Sequence, residues 1–294
     1  MNTAGRTALI VGCGYAGLRF GRQLAAMGVR VVGTTRRSHR PDMQAAGLEV
    51  LAGELHDAAV LAAIRQLRPS LVAYFVPPRR GNDPLPTVMG ASTHPALDAF
   101  LYASSSGVYG DRAGGWVDET TPIGNSDGNS GTGDPLRAAA ERVLLEASQH
   151  DVPGRVCRIT GIYGPGRTLR RLLATGNYAL IDGHDVWVGR IHVDDLVSGL
   201  VAAWIRGRNG SVYNMVDDRP HRASEFANLS ADLNNLPRPT VISEAEARQR
   251  YDRAELRLKL ASKRVRHMLL KTELGVELKY PSYLTGLPAS LVAG

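Results

Sequence analysis

Cysteine is scarce. Only Cys13 and Cys157 occur in 294 residues, too few for a disulfide framework or a multi-cysteine zinc site, so a cytoplasmic setting is the default expectation. Long apolar runs are missing too: Ala8 to Val11 is soon interrupted by glycine, and neither a signal peptide nor a membrane span can be read. Lysine is confined to Lys259, Lys263, Lys271 and Lys279, which excludes a P-loop or Schiff-base lysine from most of the chain. Codon bias explains the preference for arginine over lysine. Acids are absent from Met1 to Pro41, whereas Arg6, Arg19, Arg22, Arg30, Arg36, Arg37 and Arg40 all fall there. The net charge of +7 resides in that segment. A confined surplus argues for a local anion rather than a nucleic-acid stripe.

With 44% hydrophobic and 21% charged residues, the chain reads as an ordinary globular protein of one large domain or two lobes. Thr7 to Val11 predicts a strand, Tyr15 to Met27 a helix and Val29 to Val32 a second strand. Further strands are predicted at Glu49 to Leu51, Leu71 to Val76, Phe100 to Ala103 and Arg155 to Ile159, with helices at Ala58 to Leu67 and Pro135 to Gln149. This alternation predicts an α/β fold, a Rossmann-like doubly wound parallel sheet with a smaller, mostly helical C-terminal substrate lobe. Residues 1–165 are assigned to the dinucleotide-binding domain, to which 191–216 return through a helix at Val193 to Ile205 and a strand at Val212 to Val216. The lobe takes 166–190 and 217–294. Gly124 to Asp134 reads as a mobile loop, and the basic stretch Arg248 to Arg266 as solvated helix faces, with polyanion binding as the alternative.

Gly12-Cys13-Gly14-Tyr15-Ala16-Gly17 closes a predicted strand and opens a predicted helix. In that context the spacing points to a dinucleotide: a tight turn at the first glycine, close approach to a pyrophosphate at the second, and helix-on-strand packing at the third. Cys13 is the small filler of that loop. A carboxylate at the end of the second strand would hold the ribose of NAD and repel a 2′-phosphate. Here the strand runs into Thr35, Arg36 and Arg37, so NADP(H) is expected in preference to NAD(H). Glu54 and Leu55, after the third strand, are candidates for meeting the adenine.

Ala103-Ser104-Ser105-Ser106-Gly107-Val108-Tyr109-Gly110, Arg158, Thr160-Gly161-Ile162-Tyr163-Gly164-Pro165-Gly166, Ile191-His192-Val193-Asp194-Asp195 and Tyr213-Asn214 follow the glycine loop in order. Together they resemble the extended and atypical short-chain dehydrogenase/reductases, the NAD-dependent epimerase/dehydratase group. The tail, from Ser262-Lys263-Arg264 through Leu274-Gly275 to Tyr280-Pro281-Ser282-Tyr283 and Gly286-Leu287, is similar to the atypical branch. The resemblance implies further cofactor contacts at Val76, Pro77, Ala103, Ser104, Arg137, Thr160, Gly161 and Ile162, a small-molecule substrate and a homodimer. It also implies that Ser105 orients the substrate carbonyl.

The family's Tyr-x-x-x-Lys pair, aligned backwards from Glu141, falls on Gly133 and Arg137. Arg137 retains the positive charge, but glycine carries no proton. Tyr109 and Tyr163 are the nearest motif tyrosines, and Asp83 is a candidate acid or a plain turn residue. Trp116, Asp118 and Glu119 are placed in a loop flanking the cleft or in surface packing. His192, Asp194 and Asp195 read as loop and helix-start residues, and no metal site is expected. Two functions remain open: an NADP(H)-dependent oxidoreductase or epimerase-like enzyme, and a non-catalytic NADP(H)-binding sensor.

Overall fold

The computed structural model describes residues 5–123 and 133–292. Most of the segment expected to be a mobile loop, 124–132, lies outside the described residues. Seven short strands, β1 Thr7–Val11, β2 Arg30–Thr35, β3 Glu49–Ala52, β4 Leu71–Tyr74, β5 Ala99–Ser105, β6 Gly154–Ile159 and β7 Val212–Met215, form one sheet. Its order is β7-β6-β5-β4-β1-β2-β3, and each pairing is parallel. The order turns between β1 and β4, which leaves a crevice at the strands' carboxyl ends.

Side chains alternate across each strand, so Ala8 and Ile10 join one core and Leu9 and Val11 the other. The first core is covered by α1 Tyr15–Ala26, through Phe20 and Leu24, and by a helix at Val193–Arg206, through Leu196, Leu200 and Trp204. The second is covered by helices at Ala58–Leu67, Leu85–Ser92 and Pro135–Ala147. With both faces buried, the strands are apolar on both sides, as parallel strands between two helical layers are.

The Leu85–Ser92 helix is not legible in the sequence because Pro86 and Gly90 lie within it. Pro86 is tolerated in the first turn, where an N–H has no intrahelical partner. A short helix at Pro41–Ala45 is likewise additional. β5 extends to Ser105, so Ser104 and Ser105 belong to the strand rather than to a following loop.

Beyond β6 the chain leaves the sheet and returns with Val193–Arg206 and β7. The remainder is mostly short helices, at Ala223–Leu233, Glu244–Arg250, Arg253–Leu260, Met268–Thr272 and Tyr283–Val292. Asp195 fastens this part to the sheet: its buried carboxylate accepts the backbone N–H groups of Lys279 at 2.7 Å and Tyr280 at 2.9 Å. Among the described residues no helix is long and apolar enough to cross a membrane.

Candidate cofactor and substrate cleft

The glycine loop sits at the carboxyl end of β1. Gly12 has φ +92°, a conformation that disfavours side chains, and its N–H donates to Thr34 Oγ1 at 3.1 Å. A Cβ on Gly17 would lie 2.5 Å from the Gly12 carbonyl oxygen, whereas a Cβ on Gly14 would meet nothing within 4 Å. Thus the third glycine allows α1 to pack on β1, and the second leaves open space above the loop. No side chain caps the start of α1, which leaves its first N–H groups available to an anion. Cys13 packs below, and burial pushes its thiol up to about 12.

Above the loop lies a cleft of about 1310 Å³. Its wall includes every residue expected to meet the cofactor: Gly12, Gly14, Tyr15, Ala16, Gly17, Thr35, Arg36, Arg37, Glu54, Leu55, Val76, Pro77, Ala103, Ser104, Arg137, Thr160, Gly161 and Ile162. Cations dominate the wall: among the described residues Arg36, Arg37, Arg40, Arg79, Arg137, Arg167, Arg190 and Lys263 line it with two carboxylates, Asp42 and Glu54. Arg40 neutralises Asp42 through a 2.7 Å ion pair and also donates to the Cys13 carbonyl at 2.9 Å, holding the glycine loop against the end of β2.

Strand register builds a buried polar row beside the cleft. Ser104 on β5 stands opposite Arg158 on β6, and Arg158 opposite Asn214 on β7. The helix Pro135–Ala147 supplies Glu141, which accepts from Ser104 Oγ at 2.5 Å and from Arg158 Nη2 at 2.9 Å. Arg158 Nη1 also donates to the Tyr109 hydroxyl at 3.0 Å, and that hydroxyl donates to Asn214 Oδ1 at 2.8 Å.

Several expected site residues are therefore structural. Tyr109 is buried in this row and does not line the cleft; burial pushes its phenol up to about 12. Tyr163 lies outside the cleft wall as well, its ring packed on His192 and Phe226 and its pKa raised by burial. Asp83 is a turn residue, accepting from the N–H groups of Leu85 and Arg79. Trp116, Asp118 and Glu119 are not lining residues of the cleft, although Val117, next to Trp116, pairs with the lining residue Val265. Asp118 closes a turn with Thr120 and Thr121, and Glu119 accepts backbone N–H groups of Asn214, Met268 and Leu269. His192 caps its helix by accepting from Asp194 N at 3.2 Å.

Ser105 does line the cleft, its Oγ accepting from Gly107 N at 3.1 Å. Asp134 caps the Pro135–Ala147 helix and places Arg137 in the same wall, within 3.4 Å of the Ala103 carbonyl. At Gly133 a Cβ would lie 2.6 Å from the Val108 carbonyl oxygen. Backbone occupies the space that a side chain would need.

Residues 8–215 match the model of the NAD dependent epimerase/dehydratase family. The chain belongs to that family. It is 32% identical over 195 residues to a dTDP-glucose 4,6-dehydratase of Streptomyces griseus, a match covering 61% of this chain and 56% of the dehydratase, so it spans little more than half the length of that relative. A solved structure of a functionally unknown conserved protein from Silicibacter pomeroyi DSS superimposes with TM-score 0.82 at 32% identity over 98% of both chains. The dTDP-glucose 4,6-dehydratase of Bacillus anthracis, solved in complex with NAD, shares the fold, with TM-score 0.77 at 16% identity over 98% of this chain and 96% of that one.

A nicotinamide dinucleotide suits the cleft of this family member: open space above Gly14, an uncapped helix start and a cationic wall match its phosphates. Among the wall residues that escape sequence reasoning are Arg167, Arg190 and Lys263. Arg167 enters from a loop and Arg190 from a short strand, Arg190–His192, both beyond β6, and the Arg190 guanidinium carbon lies 3.8 Å from the Phe226 ring centroid. Within the stretch Arg248 to Arg266, two helices do present exposed arginines, at Arg248, Arg250 and Arg253, but Lys263 lies beyond them and is only 8% exposed. Its rarity in composition, together with its place in Ser262-Lys263-Arg264, is the signal that would have found it.

Proposed function

We propose that this chain is an NADP(H)-dependent oxidoreductase or epimerase/dehydratase-like enzyme acting on a small carbonyl, imine or sugar-derived substrate. The observation that carries this reading is the end of β2. Thr35, Arg36 and Arg37 line the cleft there, and the nearby Asp42 is already ion-paired to Arg40. Arg36 and Arg37 are exposed and offer guanidiniums to a 2′-phosphate, through charge-assisted and often bidentate hydrogen bonds. When bound, the nicotinamide supplies or takes up a hydride. Around it, Arg137 anchors the ribose, Ser105 hydrogen-bonds the reacting oxygen, and the wall formed by Trp187, Val188, Arg190, Leu258 and Val265 receives the substrate. A homodimer in the cytoplasm completes the proposal.

The test is a fluorescence titration with NADPH and NADH on the wild type and on Arg36→Ala. Loss of charge-assisted hydrogen bonds worth about 1.5–3 kcal/mol weakens NADPH roughly 10- to 100-fold and leaves NADH unchanged. Equal weakening of both nucleotides refutes the 2′-phosphate contact.

A second reading, a non-catalytic NADP(H)-binding sensor, is favoured by Gly133, where the Val108 carbonyl leaves no room for a side chain. It is favoured also by the turning of Tyr109 and Tyr163 away from the cleft. Deuteride transfer from 4-deuterated NADPH to a component of a metabolite extract, abolished by Ser105→Ala, excludes it.

A further inference from the structure

Lys263 is buried, yet it lines the cleft together with Ser105. Among the described residues its ammonium makes no hydrogen bond or ion pair. Asp111 and Arg112 are the charged groups facing it from the loop after Tyr109, and Arg137, Arg167 and Arg190 share its cavity.

The segment that carries this lysine is fixed on both sides. Lys263 N donates to the Trp187 carbonyl at 3.0 Å and Arg264 N to the Gly115 carbonyl at 2.9 Å. Just before it, Ser262 N donates to Asp111 Oδ1 at 2.8 Å, and the Ser262 carbonyl accepts from Arg112 N and Gly114 N, both at 2.9 Å. The same segment lies on the turn that follows Ser105. A Cβ on Gly107 would meet Ser105 Oγ at 3.3 Å and Leu258 Cδ2 at 3.5 Å, and Val265 packs in one cluster with Val108 and Tyr109. Ser105 from the sheet and Lys263 from the C-terminal half thus line one cleft on fixed supports.

We infer that Lys263 exchanges the proton of the substrate's reacting oxygen in this cleft. The inference rests on the NADP(H) reading above and assigns a role that Gly133 is unable to fill. In reduction, the substrate carbon gains a hydride from the reduced nicotinamide and the π electron pair of C=O moves onto oxygen. The O–H bond forms as an N–H bond of the Lys263 ammonium breaks, and water then returns a proton to the neutral amine. In oxidation the neutral amine accepts the hydroxyl proton as hydride leaves carbon. Burial pushes the amine down to about 8, so the ammonium still predominates at pH 7 and gives up its proton more readily than a solvated lysine.

The experiment compares wild type, Lys263→Met and Lys263→Arg. NADPH affinity is measured by fluorescence titration, and deuteride transfer from both 4-deuterated NADPH diastereomers to a metabolite extract by mass spectrometry. In the expected result all three proteins bind NADPH, Lys263→Met within about tenfold of the wild type because one cation of the wall is lost, which also shows that the variants fold. Lys263→Met loses at least about 100-fold in transfer. Lys263→Arg keeps the charge but not a donor of suitable pKa, and a tenfold concentrated extract does not rescue it. Wild-type reduction falls as pH rises through 8. Independently of turnover, reductive methylation with ¹³C-formaldehyde labels the four lysines. The signal missing from Lys263→Arg should titrate near 8 rather than in the ordinary lysine range.

Transfer by Lys263→Met at the wild-type rate overturns the inference. So do rescue of Lys263→Arg by concentrated extract, an ordinary titration of the Lys263 signal, and a wild type that binds NADPH but transfers nothing. A wild type that binds no NADPH overturns the cofactor reading itself.

Discussion

Replacing Glu141 with glutamine tests the buried row beside the cleft. Glu141 is fully buried and Arg158 is 4% exposed. Glutamine keeps the shape and a partner for Ser104 but removes the charge opposite a buried guanidinium. Leaving one member of a buried pair uncompensated costs about 3–5 kcal/mol. Unfolding entropy of roughly 2.1 cal/mol/K per residue gives about 0.6 kcal/mol/K for this chain, so Glu141→Gln should lower Tm by about 5–8 °C. Calorimetry on Glu141→Gln and on the double variant Glu141→Met/Arg158→Leu checks the reasoning, because an apolar pair of similar volume removes both desolvation penalties. The double variant still strands the buried Ser104 hydroxyl, at about 1–3 kcal/mol, so it should melt above the single variant and within about 5 °C of the wild type. A drop below about 1.5 °C in the single variant would place the pair with weak surface ion pairs. A double variant melting as low as the single would show that packing, not charge, dominates.

Gly133→Ala sets a Cβ against the Val108 carbonyl and should cost about 1–3 kcal/mol, read as a lower Tm with the fold retained; an unchanged Tm would show that the turn relaxes freely. Asp217 is buried with Oδ2 unpartnered, and desolvation raises its carboxyl to about 8 against an ordinary 3.8, with Arg190 opposing. The native state therefore holds a proton that the unfolded chain releases, and wild-type stability should fall relative to Asp217→Asn as pH rises from about 4 to about 8. Parallel Tm curves across that window would contradict the burial argument. Selective loss of NADPH affinity in Arg36→Ala and loss of proton exchange in Lys263→Met complete the set.

What could be read from the sequence was what short stretches determine. The glycine loop, the acid-free run to Arg37 and the apolar strands carry their own geometry, so the part of the cleft wall that they form was legible residue by residue. Tyr109 and Tyr163 stand in recognisable motifs, but their direction is set by partners far along the chain, Asn214 for one and Phe226 for the other. Arg190 and Lys263 reach the wall only through packing of the C-terminal half. A basic stretch has the same composition whether its lysine is solvated or enclosed.

β7 has a consequence for how the chain is made. The strand that covers the outer edge of β6 is Val212–Met215, synthesised well after Ile159. At roughly 5–20 residues per second, the nascent protein carries an open β6 edge for about 3–10 s. That edge presents unpaired N–H and C=O groups to any neighbouring strand. Asn214, on the arriving strand, also gives Tyr109 its acceptor. Chains interrupted between β6 and β7 should therefore be aggregation-prone, with both the edge and the row beneath the cleft incomplete.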